Sequence, residues 1–263
     1  MEDWSLYDYT PSKAGAIIAL ICYGLSASYH IFQMIKLKSY FFTTFIVGAI
    51  MMTVGYIFRA ASAGDTTVLA TYIGQNVCIL LPPSLYAASI YMIYGRIVMY
   101  TGEPGLSVIS PLKVTKIFVI GDVLAFLTQA SGGGMMANSS MARMGQIITI
   151  AGLFIQLIFF GGFLTISIIF GRRVQQTKTT LRGLPYGTLL YVLFAVSALI
   201  IFRCLFRVVE FCQGNDGYLM KHEVFMYVFD TIPMFAVQAV FHFSHPGKVL
   251  CPRPYNGLGT EMR

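Results

Sequence analysis

Arg203, Arg207 and Glu210 follow one another at spacings of four and three, so a single helix face carries all three. The run that holds them, RCLFRVVEFCQG, is otherwise largely apolar. After a short polar loop a second apolar run, EVFMYVFDTIPMFAVQAVFHF, opens on Glu223 and carries Asp230, with Gln238 and His242 eight and twelve residues further on, near the same face. An ionisable group at the centre of a membrane helix costs at least about 2.5 kcal/mol on insertion scales. Such groups persist where they face a bundle interior, pair with one another or line a polar cavity. The chemistry on offer is therefore ionic: carboxylates able to receive a cationic head group, or an ion-pair network that locks helix ends together.

More polar residues interrupt other apolar runs. Asp122 and Gln129 stand seven apart in GDVLAFLTQ and share a face, and Gln156 interrupts the run after them. Asp122 and Asp230 have no lysine at their depth, so each requires a proton, a hydrogen bond or an arginine from another helix. Arg59 in GYIFRAAS either joins the polar set or snorkels to head groups. Pro82-Pro83 removes helical hydrogen bonds in mid-span and predicts a kink or break, with Tyr86, Tyr91 and Tyr94 beyond it; this is either a packing kink or the wall of a polar cavity. Gly132-Gly133-Gly134 permits a close helix approach or a loosened helix end. It is no phosphate cradle, since the strand-turn-helix context is missing.

The elements that must position these residues are membrane helices. Of 263 residues, 56% are hydrophobic and only 11% charged, against about 25% charged in a soluble domain. Seven segments reach the roughly 20 residues a span requires: approximately 14–35, 42–63, 73–99, 114–136, 145–170, 185–209 and 223–244. The chain is thus expected to be one all-α, polytopic transmembrane domain, a seven-helix bundle covering residues 1–263. The net charge of +7 does not form a basic face interleaved with aromatics, so no nucleic-acid partner is expected.

The cations fix an orientation. Loops after the first, third and fifth segments and the tail hold Lys36, Lys38, Arg96, Lys113, Lys116, Arg172, Arg173, Lys178, Arg182, Lys248, Arg253 and Arg263. The other side holds only Lys13, Arg143 and Lys221. By the positive-inside rule the N-terminus is outside and the C-terminus cytosolic. Glu2, Asp3 and Asp8 ahead of Lys13 are the opposite of a basic leader, so the first segment is read as an uncleaved signal-anchor. The sequon Asn138-Ser139-Ser140 falls in an outside loop. Cys78 and Cys212 lie on that side too and could pair, with Cys204 as a competing partner.

GYIFRAAS at 55–62, LPPSLYAASIYMIYGR at 81–96, GDVLAFLTQASGGGM at 121–135, and RCLFRVVEFCQG, EVFMYVFDTIPM and FSHPG within 203–247 resemble blocks of the fungal lipid-translocating exporter family. The resemblance runs from YTPS at 9–12 to HPG at 245–247. It implies seven helices with the N-terminus outside, and links to aminocholesterol resistance, sphingoid long-chain base release and protoporphyrin or haem traffic. The family's polar motif positions correspond to Arg59, Arg96, Asp122, Gln129, Gln156, Arg203, Arg207, Glu210, Glu223 and Asp230.

The expected function is a transporter or flippase-type exporter of an amphiphilic lipid or sterol-like molecule, in the plasma membrane. Its substrate-binding residues would be Asp122, Gln129, Asp230, Glu210, Arg59, Arg203, Arg207, Gln156 and Glu223. A cationic head group would pair with Asp230, Glu210 or Asp122 while the tail stays in lipid. No catalytic residue, metal or cofactor is assigned, and the oligomeric state is left open. A seven-helix receptor or lipid sensor is the first alternative. A metal-dependent lipid hydrolase using His30, His242, His245 and Asp122 is the second, although each histidine reads more simply as an interfacial or interhelical residue.

Overall fold

Apolar runs of this length have one way to satisfy their backbone in lipid, which is to hydrogen-bond within themselves as helices. A computed structural model describes residues 11–65, 67–136, 140–176, 186–214 and 217–250. Seven helical stretches in it are long and apolar enough to cross a membrane: Lys13–Leu37, Tyr40–Ser62, Ala70–Tyr100, Lys113–Met136, Ala142–Gln176, Gly187–Cys212 and Glu223–Leu250. The protein is an integral membrane protein with the expected all-α, seven-helix architecture. The fifth span runs further than the sequence suggests, because Arg172 and Arg173 continue its helix into the polar connection.

In chain order the helices are α1 (Lys13–Leu37), α2 (Thr43–Ser62), α3 (Leu69–Leu80), α4 (Pro82–Tyr100), α5 (Pro111–Met136), α6 (Ala142–Gln176), α7 (Tyr186–Cys212), the short α8 (Tyr218–Lys221) and α9 (Glu223–Met226), α10 (Ile232–Phe243) and α11 (Gly247–Leu250). The Ser12 hydroxyl caps α1 by accepting from the Gly15 N–H, and Lys38 ends it in the left-handed region at φ 53°. Antiparallel neighbours pack in sequence, and α10 returns to lie between α7 and α1. Of the seven spans, α3–α4 is the most enclosed, with 61% of its apolar window buried, against 33% for the first. It forms the bundle's axis, touching α2, α5 and α7. Ile18, Leu25, Ile158 and Phe243 point outward, as lipid contact requires.

Two spans are irregular. The third breaks at Leu81, so that Pro82 and Pro83 open α4 where a helix tolerates proline. The seventh contains a π-turn over Tyr227–Thr231, closed by the Ile232 N–H reaching the Tyr227 carbonyl five residues back. The inserted residue brings Asp230 and Thr231 to face the core one turn before Pro233.

The glycine run does not loosen α5, which stays helical to Met136. Gly132 lies against Gly145 of α6, where a Cβ would come within 2.6 Å of the Gly145 carbonyl oxygen. Gly133 and Gly134 face open space. The described cysteines, Cys22, Cys78, Cys204 and Cys212, are all free, so Cys78 and Cys212 do not form the bridge that shared sidedness allowed. The first two residues of the sequon, with Glu2, Asp3, Asp8, Lys178, Arg182, Arg253 and Arg263, lie outside the described residues.

Candidate functional site

Helices α2, α7, α9 and the π-turn converge at the end of the bundle where α1 begins, here the Ser12 end. Spacings of four and three on α7 aim Arg203, Arg207 and Glu210 at the π-turn. Asp230 takes Arg203 Nε on one carboxylate oxygen and an Arg207 terminal nitrogen on the other. Arg207 also donates to Glu210 Oε2 at 2.9 Å. Arg203 and Asp230 are each 1% exposed. Burial this deep would be prohibitive for either charge alone and is tolerated because each has a hydrogen-bonded opposite. Arg203 further donates to the Ile79 carbonyl at 3.5 Å, the oxygen left without its helical donor by Pro83. One guanidinium therefore bridges the break in the third span and the π-turn in the seventh.

Arg59 does not snorkel. It is wholly buried and donates to Glu223 Oε1 at 2.7 Å, with Nε on the Tyr227 hydroxyl at 3.3 Å. The other Glu223 oxygen receives the Ser12 backbone N–H at 2.8 Å, which ties the start of α1 to α9. The ion-pair reading and the shared-face reading of this end both describe real contacts: Arg203, Arg207, Glu210 and Asp230 form one chain, and Arg59 and Glu223 a separate pair.

Three other expected residues lie on a different seam, between α4, α5 and α6. The Gln129 amide donates to Gln156 Oε1 at 3.1 Å, and the Gln156 amide reaches Ser84 Oγ at 3.3 Å. These contacts need close backbones, which Gly152 provides: a Cβ there would stand 2.9 Å from the Ala125 carbonyl oxygen. Asp122 is 2% exposed and accepts from the Tyr91 hydroxyl through Oδ2 at 2.8 Å. Its Oδ1 has no hydrogen-bond partner. Arg96 is exposed and stacks on the Phe41 ring, 4.2 Å from its centroid, apart from all of these groups.

Sequence reasoning singled out Gln238, His242 and Tyr86 but missed the second polar seam they form with α1. Tyr23 donates to the Thr231 carbonyl at 2.7 Å, and Tyr56 meets the Thr231 hydroxyl at 2.5 Å. Further along, Ser26 bonds Gln238 Oε1, the Gln238 amide donates to the Tyr86 hydroxyl at 2.6 Å, and Gln33 donates to the His242 carbonyl at 2.9 Å. Because Ser26 spends its proton on Gln238, His242 Nε2 must be the donor in its 2.9 Å contact with Ser26. The signal was present: Tyr23, Ser26, His30 and Gln33 recur at spacings of three, four and three, one face of α1.

The histidines are committed to structure. His30 Nε2 lies 3.2 Å from the Gln238 carbonyl, and His245, 1% exposed, accepts the Gly247 N–H through Nδ1 at 3.1 Å. Among the described residues no three His, Cys, Asp or Glu stand where they could hold a metal ion.

Comparison with known proteins places the chain in a family. Protein RTA1 of Saccharomyces cerevisiae is 42% identical over 77% of this chain and 64% of its own length. The chain thus spans less than two thirds of that relative. Protoporphyrin uptake protein 1 of the same yeast is 34% identical over 90% of both chains. Sphingoid long-chain base transporter RSB1, also from Saccharomyces cerevisiae, is 24% identical over 92% of this chain and 74% of its own. No solved structure matches. Residues 45–253 match the family described as RTA1 like protein, so the chain belongs to that fungal family.

Proposed function

We propose that the chain is a flippase-type exporter of amphiphilic lipids in the plasma membrane, with cargo of the sphingoid-base, aminosterol or porphyrin-like kind. The carrying observation is the buried Arg203–Asp230–Arg207–Glu210 chain, which joins two helix irregularities in the interior of a lipid-embedded bundle. A broken helix and a π-turn can rearrange at lower cost than continuous helix, because each already lacks regular hydrogen bonds. The names of RSB1 and Protoporphyrin uptake protein 1 support traffic in amphiphiles of this kind.

In this reading the ion pairs are the resting state. A charged head group exchanges with a member of the network while its tail remains in lipid. Both Asp230 oxygens carry arginine, so a cationic head group reaches Asp230 only as Arg203 or Arg207 withdraws, whereas Glu210 gives Arg207 only Oε2. Arg59 and Glu223 tether the helix ends around that opening, and Gln129 and Gln156 supply a neutral lining on the neighbouring seam. Asp122 differs, since one of its carboxylate oxygens, though buried, has no hydrogen-bond partner to displace. The cation-poor Ser12 end is outside, as the alternation of basic loops supports.

The test is reconstitution. Vesicles containing the purified protein and a fluorescent long-chain amine in one leaflet should equilibrate the amine faster than protein-free vesicles, and Asp230→Asn should remove the acceleration. Equal rates with and without protein would refute the proposal.

A further inference from the structure

Four acidic residues are described within the spans, and three have an arginine: Glu210, Glu223 and Asp230. Asp122 has none. Its carboxyl receives one hydrogen bond, from Tyr91, which occupies Oδ2 and leaves Oδ1 buried and empty. The elements packed around it supply no missing charge. On α4 the facing group is the Tyr91 phenol, itself wedged against the rings of Phe160 and Phe163 from α6. The ionisable residues of α6 are Arg143, Arg172 and Arg173, at its two ends. On α7 the titratable group in electrostatic reach is the Cys204 thiol, and its neighbour Arg203 is committed to Asp230 and the Ile79 carbonyl. On α5 itself the cations are Lys113 and Lys116, towards its start.

A carboxylate cannot remain ionised in such a place without a positive charge on its free oxygen. Two species can neutralise the carboxylate: a proton, or a cation brought in from outside. They are alternatives, because one positive charge balances its single negative one. Val123 and Leu124, the next residues on α5, are 51% and 53% exposed, so α5 turns them outward while Asp122 faces the bundle interior.

We infer that Asp122 is a proton-exchange site, at which an incoming ammonium head group displaces the carboxyl proton and is later displaced by one. The balance is simple: a protonated amine and a neutral carboxylic acid become an ammonium–carboxylate pair plus one proton released to solvent, with no redox change. One cation enters for one proton lost, so the step couples movement of an amine-bearing amphiphile to a proton gradient. Tyr91 is a positioning residue, since its hydroxyl holds Oδ2 and thereby assigns the exchange to Oδ1. The inference rests on the reading above that the cargo includes amines.

The experiment uses the full chain purified in detergent, weakly buffered with a pH-indicator dye, and titrated with hexadecylamine; hexadecanol serves as the uncharged control. A primary amine stays protonated near neutrality, its ordinary pKa being about 10.4, so any proton released comes from the protein. Wild type should release close to one proton per amine bound, and its affinity should fall by up to about tenfold per pH unit lowered. Asp122→Asn should bind at least tenfold more weakly with no proton released. Tyr91→Phe, which keeps the carboxyl, should move the pH at which exchange is half complete, an effect that lost packing would not produce. Amine binding without proton release in wild type, or unchanged release from Asp122→Asn, overturns the exchange site and leaves the exporter reading standing. Failure of wild type to bind hexadecylamine in preference to hexadecanol overturns the amine cargo and the exchange site together.

Discussion

Arg203 of α7 donates to the Ile79 carbonyl at 3.5 Å, filling the place of the N–H that Pro83 lacks. The same guanidinium binds Asp230 in the π-turn. Two departures from regular helix in two different spans are therefore held by one side chain. Movement of Arg203 would free the Ile79 carbonyl and leave Asp230 to Arg207.

Arg203→Leu removes a charge that is 1% exposed and leaves a carboxylate of equal burial with Arg207 alone. Breaking such a pair from one side costs about 3–5 kcal/mol. Arg203→Lys should not restore the loss, because a single ammonium cannot reproduce the planar fork that serves Asp230 and Ile79 together. Thermal unfolding in detergent checks both; a Lys variant as stable as wild type would show that charge alone suffices.

Asp230→Asn leaves one buried arginine, Arg203, and one partly buried, Arg207, short of an anion and should lower the unfolding temperature. Combining it with Arg207→Gln removes one charge of each sign and should recover part of the loss. The coupling energy from the four-protein cycle is expected at about 0.5–3 kcal/mol, as for residues in direct contact. Strict additivity would mean that the two side chains do not interact in the folded protein.

Gly132→Ala should destabilise the bundle by about 1–3 kcal/mol, since overpacking forces backbones apart, and here a Cβ would stand 2.6 Å from the Gly145 carbonyl oxygen. Gly133→Ala and Gly134→Ala meet nothing within 4 Å. Each should be neutral or stabilise helix by up to about 1 kcal/mol. Unfolding midpoints of the three single variants give the comparison.

The sidedness carried by the basic loops predicts that an epitope at the C-terminus is labelled only after permeabilisation, whereas one preceding Lys13 is labelled on intact cells. Labelling of the C-terminal epitope on intact cells would reverse the orientation proposed above.

The fold was legible because lipid demands long apolar runs, and the seven expected segments correspond to the seven observed spans. The site was legible in identity but not in grouping. Arg203, Arg207 and Glu210 could be aligned from spacing alone, and the need of Asp230 for an arginine follows from its burial. Which arginine answers it depends on the π-turn, whose extra residue shifts the 3.6-residue period and leaves no mark in composition. Arg59 looked able to reach head groups because nothing local announces Glu223, 164 residues away in sequence. The Tyr23–Ser26–His30–Gln33 face was written plainly in α1 but is neutral, and a search led by charge passes over it. The break at Leu81 followed directly from proline chemistry, whereas the use of the freed oxygen by α7 required the fold.

The paired groups at the Ser12 end carry three guanidinium groups and three carboxylates, Arg59, Arg203 and Arg207 against Glu210, Glu223 and Asp230. A membrane voltage acts on net charge, at about 2.3 kcal/mol per elementary charge per 100 mV. The assembled network sums to zero, so the resting potential exerts no net pull on it as a whole. An unaccompanied cation crossing the bilayer would feel that field in full, and so would any arginine that parted from its partner on the way.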